Sequence, residues 1–261
     1  MSTLTVGVLQ QPIIWMDGEA NLDYFSRLIA QSSHHDLWVL PEMFTTGFSM
    51  QAATHSLSET RVLDWLQTLA RKHNAALCGS AAIQLTDGAV NRFYFVTPQG
   101  HSSYYDKRHL FRMANEHHHY KPGNHRQIIE YRGWRILPQI CYDLRFPTFS
   151  RTIHNDYDLM IYVASWPAAR AKHWQALLLA RAIENQSWVI GCNRVGEDEN
   201  GLSYRGDSQI IAPEGEIIAS ALPSEATVIS ATIDRQRVIA YRQAFPAWQD
   251  ADSFTLTPSV G

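Results

Sequence analysis

Three segments of the chain place a residue that could do acid–base or covalent chemistry beside an apolar run. Glu42 directly follows a short apolar strand and Pro41, and burial raises a carboxyl pKa toward the range that suits a general base. Lys107 lies between aromatic and apolar residues, where an ammonium group could stabilise an oxyanion. Cys141 ends an apolar run and is followed at once by a polar turn, a position from which a thiol can face a pocket as a nucleophile.

Each of these residues also has a purely structural interpretation, which is favoured when its segment is taken alone. Glu42 could turn into solvent at the end of its strand, and Lys107 could lie in an exposed turn with its stem on the neighbouring aromatic rings. Cys141 could be an inert buried thiol, the commoner state of a free cysteine. Cys78 and Cys192 lie within apolar strands and are assigned that inert role, whereas polar and ionisable residues follow Cys141 directly.

Composition excludes several classes of protein. The 261 residues include 22 Lys and Arg against 25 Asp and Glu, and the absence of a basic excess or cluster argues against nucleic acid and anionic membranes as partners. The sequence has no apolar run of the roughly 18 residues that a membrane helix needs. The first residues do not resemble a secretory signal. The three cysteines are far apart, which argues against a disulfide framework and favours the cytoplasm.

Hydrophobic periodicity predicts strands that are joined both by helices and by hairpins. Helical spacing marks residues 20–32, 62–69 and 171–187, and a further short helix is expected after residue 232. The predicted strands lie at about 4–9, 36–40, 75–84, 91–97, 101–106, 134–141, 159–164, 188–192 and 226–232, with a hairpin at 206–222. This mixture predicts two mixed sheets with helices outside them, in one domain over 1–261 that ends in an irregular apolar tail from about 243.

The order and spacing of the three segments carry more information than any one of them. The runs Pro-Glu42-Met-Phe, Tyr-Asp-Lys107-Arg-His-Leu-Phe and Ile-Cys141-Tyr-Asp-Leu-Arg-Phe-Pro together resemble the nitrilase, or carbon–nitrogen hydrolase, superfamily. The resemblance extends along nearly the whole chain and is greatest to bacterial omega-amidases, which hydrolyse 2-oxoglutaramate. It implies a four-layer α-β-β-α sandwich, a small-molecule amide substrate, no cofactor or metal, and a homodimer to which the C-terminal tail contributes.

The resemblance also assigns roles within the catalytic set. Glu42, Lys107 and Cys141 match the catalytic residues of the family, and Glu116 matches the second glutamate that precedes a Pro-Gly pair. Cys141 would attack the amide carbonyl while Glu42 takes and returns the proton. Lys107 and the backbone N–H of Tyr142 would hold the oxyanion, and Glu116 would orient Lys107.

Residues that contact the substrate are less distinctly marked. Arg145 could clamp a carboxylate through its guanidinium group, or serve structurally as part of the general motif. Phe44 and Trp166 are candidate pocket walls or core aromatics, and the position of Trp166 at a strand end favours a wall. His117–His119 is interpreted as a loop over the site entrance or a solvated loop, because three adjacent residues do not provide a zinc-binding spacing.

The function that this pattern predicts is a thiol-dependent amidohydrolase. It would release ammonia from a short dicarboxylic monoamide, such as 2-oxoglutaramate or succinamate, through a thioester on Cys141. The alternatives in the same superfamily are an N-carbamoyl amine or amino-acid hydrolase, a deaminated-peptide amidase and, less favoured because such chains are usually longer, a true nitrilase. A non-catalytic binding protein is the alternative from another class, against which the complete catalytic set argues.

Overall fold

Strands and helices alternate along most of the chain in the computed structural model, which describes residues 2–256. The strands are β1 (Thr3–Gln10), β2 (Leu37–Val39), β3 (Ala76–Leu85), β4 (Gly88–Val96), β5 (Ser102–Asp106), β6 (Ile129–Tyr131), β7 (Trp134–Ile140), β8 (Leu159–Ala164), β9 (Trp188–Asn193), β10 (Val195–Glu197), β11 (Ser203–Arg205), β12 (Gln209–Ile211), β13 (Ile217–Ser220) and β14 (Thr227–Asp234). The α-helices are α1 (Gly18–Gln31), α2 (Ala52–His55), α3 (Glu59–His73), α4 (Pro147–Ser150), α5 (Ala171–Asn185) and α6 (Arg235–Ala244).

Two six-stranded sheets contain most of the strands, in the orders β14-β1-β2-β3-β4-β5 and β13-β12-β9-β8-β7-β6. In the first sheet β1, β2 and β3 are parallel, and β5 runs in the same direction because β4 is antiparallel to both of its neighbours. In the second sheet β7, β8 and β9 are parallel. Both sheets are therefore mixed, as the sequence predicts. The strands β10 and β11 pair separately as a hairpin.

Alternation along β2 shows how the layers are formed. Leu37 and Val39 face the core between the two sheets, whereas Trp38 belongs to a second core beneath α1 and α3, because successive strand residues point to opposite faces. On the other side of the molecule, Trp174 and Leu178 of α5 pack on the second sheet within the first core. The result is the expected four-layer α-β-β-α sandwich.

The predicted long elements are confirmed to within a few residues, and the differences concern short elements and their ends. The helix predicted over 62–69 spans Glu59–His73, because the Ser58 side chain caps its first turn by accepting the N–H of Arg61. The strands β6, β10 and β11 were not predicted, since three residues are too few for a periodic signal. Residues 257–261 of the predicted tail lie outside the described residues. Within 2–256, no helix has the length and apolarity needed to cross a membrane.

Candidate active site

Four strands, two from each sheet, end at the same edge of the sandwich and deliver the candidate residues there. In the first sheet, β2 leads to Glu42 and β5 leads directly to Lys107. In the second sheet, β7 leads directly to Cys141 and β8 to Ser165. The carboxyl ends of parallel strands are the usual position for a ligand site in α/β proteins, and here two such edges face each other.

Lys107 lies at the centre of the site between two carboxylates. Its Nζ donates to Oε1 of Glu42 at 2.8 Å and to both carboxylate oxygens of Glu116 at 3.0 Å. All three side chains are fully buried. Burial alone lowers an ammonium pKa, but the charges of Glu116 and Glu42 outweigh it and raise the pKa of Lys107. Lys107 is therefore a permanent cation in a water-poor site.

Glu42 receives two further hydrogen bonds that fix its carboxylate. Asn91 Nδ2 donates to Oε1 at 2.8 Å, and the backbone N–H of Ser165 donates to Oε2 at 2.8 Å. Sequence reasoning missed both partners. The signal for Asn91 was a polar residue within a mostly apolar strand, whereas a backbone donor such as Ser165 has no side-chain signature. The carboxylate is thus held by donors from both sheets.

Glu116 is positioned by the loop that follows β5. It begins the short 3-10 helix Glu116–His118, and its Oε2 accepts the backbone N–H of Phe111 at 2.6 Å. Burial raises the pKa of Glu116, Lys107 opposes this, and the charge of Glu42 adds to it. The structure places Glu116, the predicted second glutamate, against the ammonium group of Lys107.

Gly123 allows the same loop to pass close behind the site. Its N–H donates to the carbonyl oxygen of Lys107 at 2.9 Å, and a Cβ at this position would lie 2.1 Å from the carbonyl oxygen of Asp106. Only glycine fits at this separation, so the Pro-Gly pair secures the backbone of Lys107.

Cys141 begins the 3-10 helix Cys141–Arg145 with a φ of +45°, a region that costs energy for a residue with a Cβ. The Asp143 carboxylate accepts the N–H of Ile140 at 2.9 Å and holds this sharp turn. Because the first N–H groups of a helical turn have no partner within it, the N–H of Tyr142 can donate a hydrogen bond to an acceptor beside the thiol.

The surroundings of Cys141 favour the protonated form of its thiol. Burial first, and then the charge of Glu42 together with a hydrogen bond to it, raise the pKa of Cys141, against a smaller opposing effect of Lys107. Burial also raises the pKa of Cys78 and Cys192, so pKa does not distinguish the three. Cys141 differs because it faces a cavity and hydrogen-bonds a carboxylate that can take its proton.

A cavity of about 740 Å³ opens onto the nucleophile, and most of its lining is apolar. Trp166, the candidate pocket wall, lines the cavity, and so does Arg145, the candidate carboxylate clamp. The guanidinium group of Arg145 stacks 4.9 Å from the Trp166 ring and donates to Nδ1 of His173 at 3.0 Å. These contacts hold Arg145 flat against the wall near Cys141.

Phe44 requires a correction. It is not among the described residues that line the cavity. Its side chain is fully buried between the first sheet and the helices α1 and α3, with its ring 6.2 Å from that of Phe25 and 5.6 Å from that of Trp65. Phe44 follows Glu42 by two residues in an irregular turn, and the turn directs it into the core. It is a core aromatic rather than a pocket wall.

The loop that carries the three histidines does border the cavity, but through other residues. Met113 and Ala114 line the mouth, whereas the rings of His117 and His118 pack against each other at 3.9 Å and are not part of the lining. Among residues 2–256, no group of His, Cys, Asp and Glu side chains is arranged to hold a metal ion.

The sandwich and its buried Glu–Lys–Cys set define a class of enzymes that hydrolyse carbon–nitrogen bonds with a thiol. Residues 5–243 match the carbon–nitrogen hydrolase family, and the chain belongs to it. The omega-amidase YafV of Escherichia coli K12 is 57% identical over 256 residues, covering 98% of this chain and 100% of that protein. The 2-oxoglutaramate amidase of Bacillus subtilis is 32% identical, covering 94% and 96% of the two chains.

A solved structure shows the same fold. It is a carbon–nitrogen hydrolase superfamily protein from Xanthomonas campestris with an arsenic adduct in its active site. It is 41% identical to this chain, covers 98% of this chain and 100% of its own, and superposes with a TM-score of 0.95.

Proposed function

We propose that this protein is an omega-amidase that releases ammonia from the terminal amide of a short dicarboxylic monoamide, such as 2-oxoglutaramate or succinamate. The observation that carries the proposal is that Cys141 lines the cavity and that the buried Glu42 and Lys107, which are hydrogen-bonded to each other, act electrostatically on its thiol. The omega-amidase and 2-oxoglutaramate amidase relatives support this choice of substrate class.

The first half of the reaction forms a thioester. The sulfur of Cys141 attacks the amide carbonyl carbon while Glu42 accepts the thiol proton, which the hydrogen bond between them directs to the carboxylate. Glu42 then gives this proton to the nitrogen as the carbon–nitrogen bond breaks, and ammonia leaves. The raised pKa of the thiol requires such a base, because the free thiolate is scarce at neutral pH.

The negative charge on the carbonyl oxygen is met by two donors. Lys107 supplies a fixed positive charge, and the N–H of Tyr142 supplies a backbone donor at the turn that begins with Cys141. Because these groups are in place before the reaction, they stabilise the tetrahedral oxyanion without reorganisation. Glu116 and Glu42 keep Lys107 charged, so it acts here as a cation rather than a proton donor.

The second half hydrolyses the thioester. Water attacks the acyl carbon while Glu42 takes its proton, the carbon–sulfur bond breaks, and the proton returns to the sulfur of Cys141. Glu116 positions Lys107 throughout, by accepting hydrogen bonds from its Nζ. Trp166 and Arg145 form the cavity wall against which the acyl chain lies.

The proposal is tested by ammonia release from 2-oxoglutaramate, succinamate, glutamine, a carbamoyl amino acid and a simple nitrile. The wild type, Cys141→Ala and the matched control Cys192→Ala, which removes a buried thiol that does not line the cavity, are compared. We expect activity on the first two compounds, a loss of about a thousandfold or more in Cys141→Ala, and retention in Cys192→Ala. Activity only on the carbamoyl compound, with carbon dioxide release, would show that the substrate is a carbamoyl compound rather than a monoamide. Undiminished activity in Cys141→Ala would refute the mechanism.

We also propose that the enzyme is a homodimer in the cytoplasm. Ile183 of α5, Ile217 of β13 and Phe245 after α6 are about half exposed, at 48%, 48% and 57%. The carbonyl oxygen of Phe245 accepts a hydrogen bond from Gln186 at the end of α5, which joins the start of the C-terminal tail to that helix. These exposed apolar side chains are the proposed contacts between the two subunits. A monomeric species in sedimentation at micromolar concentration would contradict the dimer.

The proposed location in the cytoplasm is supported by the three unpaired cysteines, which suit a reducing compartment.

A further inference from the structure

Two guanidinium groups line the active-site cavity, Arg145 and Arg170, and the hydrogen bonds around them differ. Arg145 is already engaged, since it donates to Nδ1 of His173 and stacks on the ring of Trp166. Because a guanidinium group has only donors, Nδ1 of His173 accepts this hydrogen bond through its lone pair. Arg145 is therefore fixed as part of the wall.

Arg170 has a rigid backbone and an unengaged side chain. Its N–H donates to the carbonyl oxygen of Pro167 at 3.0 Å, and its own carbonyl oxygen accepts Nε1 of Trp166 at 2.8 Å. Within residues 2–256, its guanidinium group has no hydrogen bond or ion pair, and it lies over the Phe111 ring, 5.4 Å from the ring centre. The side chain is half-buried on the cavity wall, so a charge with five unused donors faces the cavity.

The position of Arg170 relative to the nucleophile follows from Phe111. The Phe111 ring lies 5.0 Å from that of Tyr142, the residue directly after Cys141, and the Phe111 N–H donates to Glu116. The aromatic platform under Arg170 is thus joined both to the nucleophile turn and to the carboxylate behind Lys107. Arg170 and Cys141 therefore both line the cavity, linked through the rings of Phe111 and Tyr142, which line it as well.

The carboxylates that line the cavity leave this charge uncompensated. Asp198 is already engaged, because Oδ1 accepts the N–H groups of Asn200 and Leu202 and Oδ2 accepts the hydroxyl of Tyr204. Glu199 lies exposed at the rim, and no ion pair joins it to Arg170 in the described structure. A partly desolvated cation without a carboxylate of its own favours an anionic ligand.

We propose that Arg170 is the specificity-determining residue that binds the carboxylate at the far end of the substrate. Its planar guanidinium group pairs with that carboxylate through two parallel hydrogen bonds, while Arg145 serves as wall. This inference rests on the proposed function and deepens it, because it assigns the preference for an acidic monoamide to one side chain that is free to pair.

The test compares succinamate with succinamide, which has the same skeleton but a neutral amide in place of the carboxylate. The variants are Arg170→Met, which keeps an unbranched stem and removes the charge, and Arg170→Lys. The matched control is Arg112→Met, an exposed arginine on the neighbouring loop that is not part of the cavity lining. The readouts are the ratio of kcat/KM for the two amides, and competitive inhibition by succinate, a dianion that needs no turnover.

We expect Arg170→Met to lower the succinamate-to-succinamide ratio by roughly ten- to a hundredfold and to weaken succinate inhibition similarly. Arg170→Lys should recover part of the ratio, and Arg112→Met should match the wild type. Equal losses on both amides, or an unchanged ratio, would overturn the inference and leave the proposed function intact. A wild type that hydrolyses neither succinamate nor 2-oxoglutaramate would instead overturn the proposed function.

Discussion

A single oxygen of Asp143, Oδ1, accepts two hydrogen bonds from His109, one from its backbone N–H at 3.0 Å and one from its ring Nδ1 at 2.7 Å. The other oxygen accepts the N–H of Ile140. Lys107 lies two residues before His109, and Cys141 directly follows Ile140. One buried carboxylate therefore fixes the separation between the segment of the cation and the segment of the nucleophile, and Asp143 is a positioning residue.

Asp143→Asn tests this role. An amide replaces one acceptor oxygen with a donor that faces N–H groups, so at least one hydrogen bond is lost in a buried site. We expect a decrease in unfolding free energy of about 1–3 kcal/mol and a decrease in kcat for succinamate of about tenfold or more. Urea unfolding and steady-state kinetics measure the two effects. The control is Asp23→Asn, on an exposed ion pair with Arg27; a variant with lower stability but unchanged kcat would limit Asp143 to a structural role.

Glu42→Gln should move turnover and thiol ionisation in opposite directions. After burial, the charge of Glu42 and its hydrogen bond are the next causes that raise the pKa of Cys141. Removing that charge lowers the thiol pKa, so the thiolate appears at lower pH, while ammonia release falls because the base is gone. The thiolate is followed by ultraviolet absorbance against pH, with Cys141→Ala as the blank. A thiol pKa that rises or stays constant in Glu42→Gln would contradict the electrostatic coupling.

Asp158 makes stability dependent on pH. Burial raises its pKa, but Arg135 and Arg235 outweigh it, and the pKa of Asp158 is lowered overall. A lowered folded pKa contributes stability above the unfolded value of about 3.9, and this contribution is lost as pH falls through the folded pKa. Asp158→Asn should cost about 2 kcal/mol at neutral pH, less than for a fully buried pair, because the two arginines are 33% and 31% exposed.

Urea unfolding at a series of pH values measures this effect. The difference between Asp158→Asn and the wild type should disappear at acid pH, below the folded pKa of Asp158. A difference that persists unchanged into strong acid would show that packing, rather than charge, accounts for it.

The variant Phe44→Leu tests whether Phe44 belongs to the hydrophobic core rather than to the substrate pocket. Because Phe44 packs against Phe25 and Trp65, the smaller side chain should lower the unfolding free energy by about 1–2 kcal/mol. The KM for succinamate should stay within about twofold of the wild type, because Phe44 does not line the cavity where the substrate would bind. Trp166→Leu, which alters the cavity wall, should raise KM instead. If Phe44→Leu raised KM as much as Trp166→Leu, the assignment of Phe44 to the core would be wrong.

The sequence was informative where the signal is local. Apolar runs of five or more residues with a clear period located the main strands and helices, and the ionisable residues that end such runs are those that meet in the site: Glu42, Lys107 and Cys141. The carboxyl ends of parallel strands meet at one edge of a sheet, which is why residues 34 or more positions apart could be expected together.

Partners that come from distant backbone or from the choice of face were not predictable. The donor to Glu42 Oε2 is the N–H of Ser165, 123 residues away, and every non-proline residue carries such a donor. Asn91 and Asp143 are polar residues, and the hydrogen bonds that they make depend on which distant groups the fold brings next to them. Phe44 was misassigned because the sequence of an irregular turn does not show which of two layers a side chain enters.

The hydrogen bond between Ser165 and Glu42 has a consequence for the order of refolding. The catalytic base belongs to one sheet and one of its donors to the other, so its geometry exists only after the two sheets have docked, a long-range step that carries a large loop-closure cost. Trp38, in contrast, packs with α1 and α3 in the first half of the chain. Upon dilution from denaturant, catalytic activity should therefore return later than the fluorescence of that local core, so that activity reports the last assembly step.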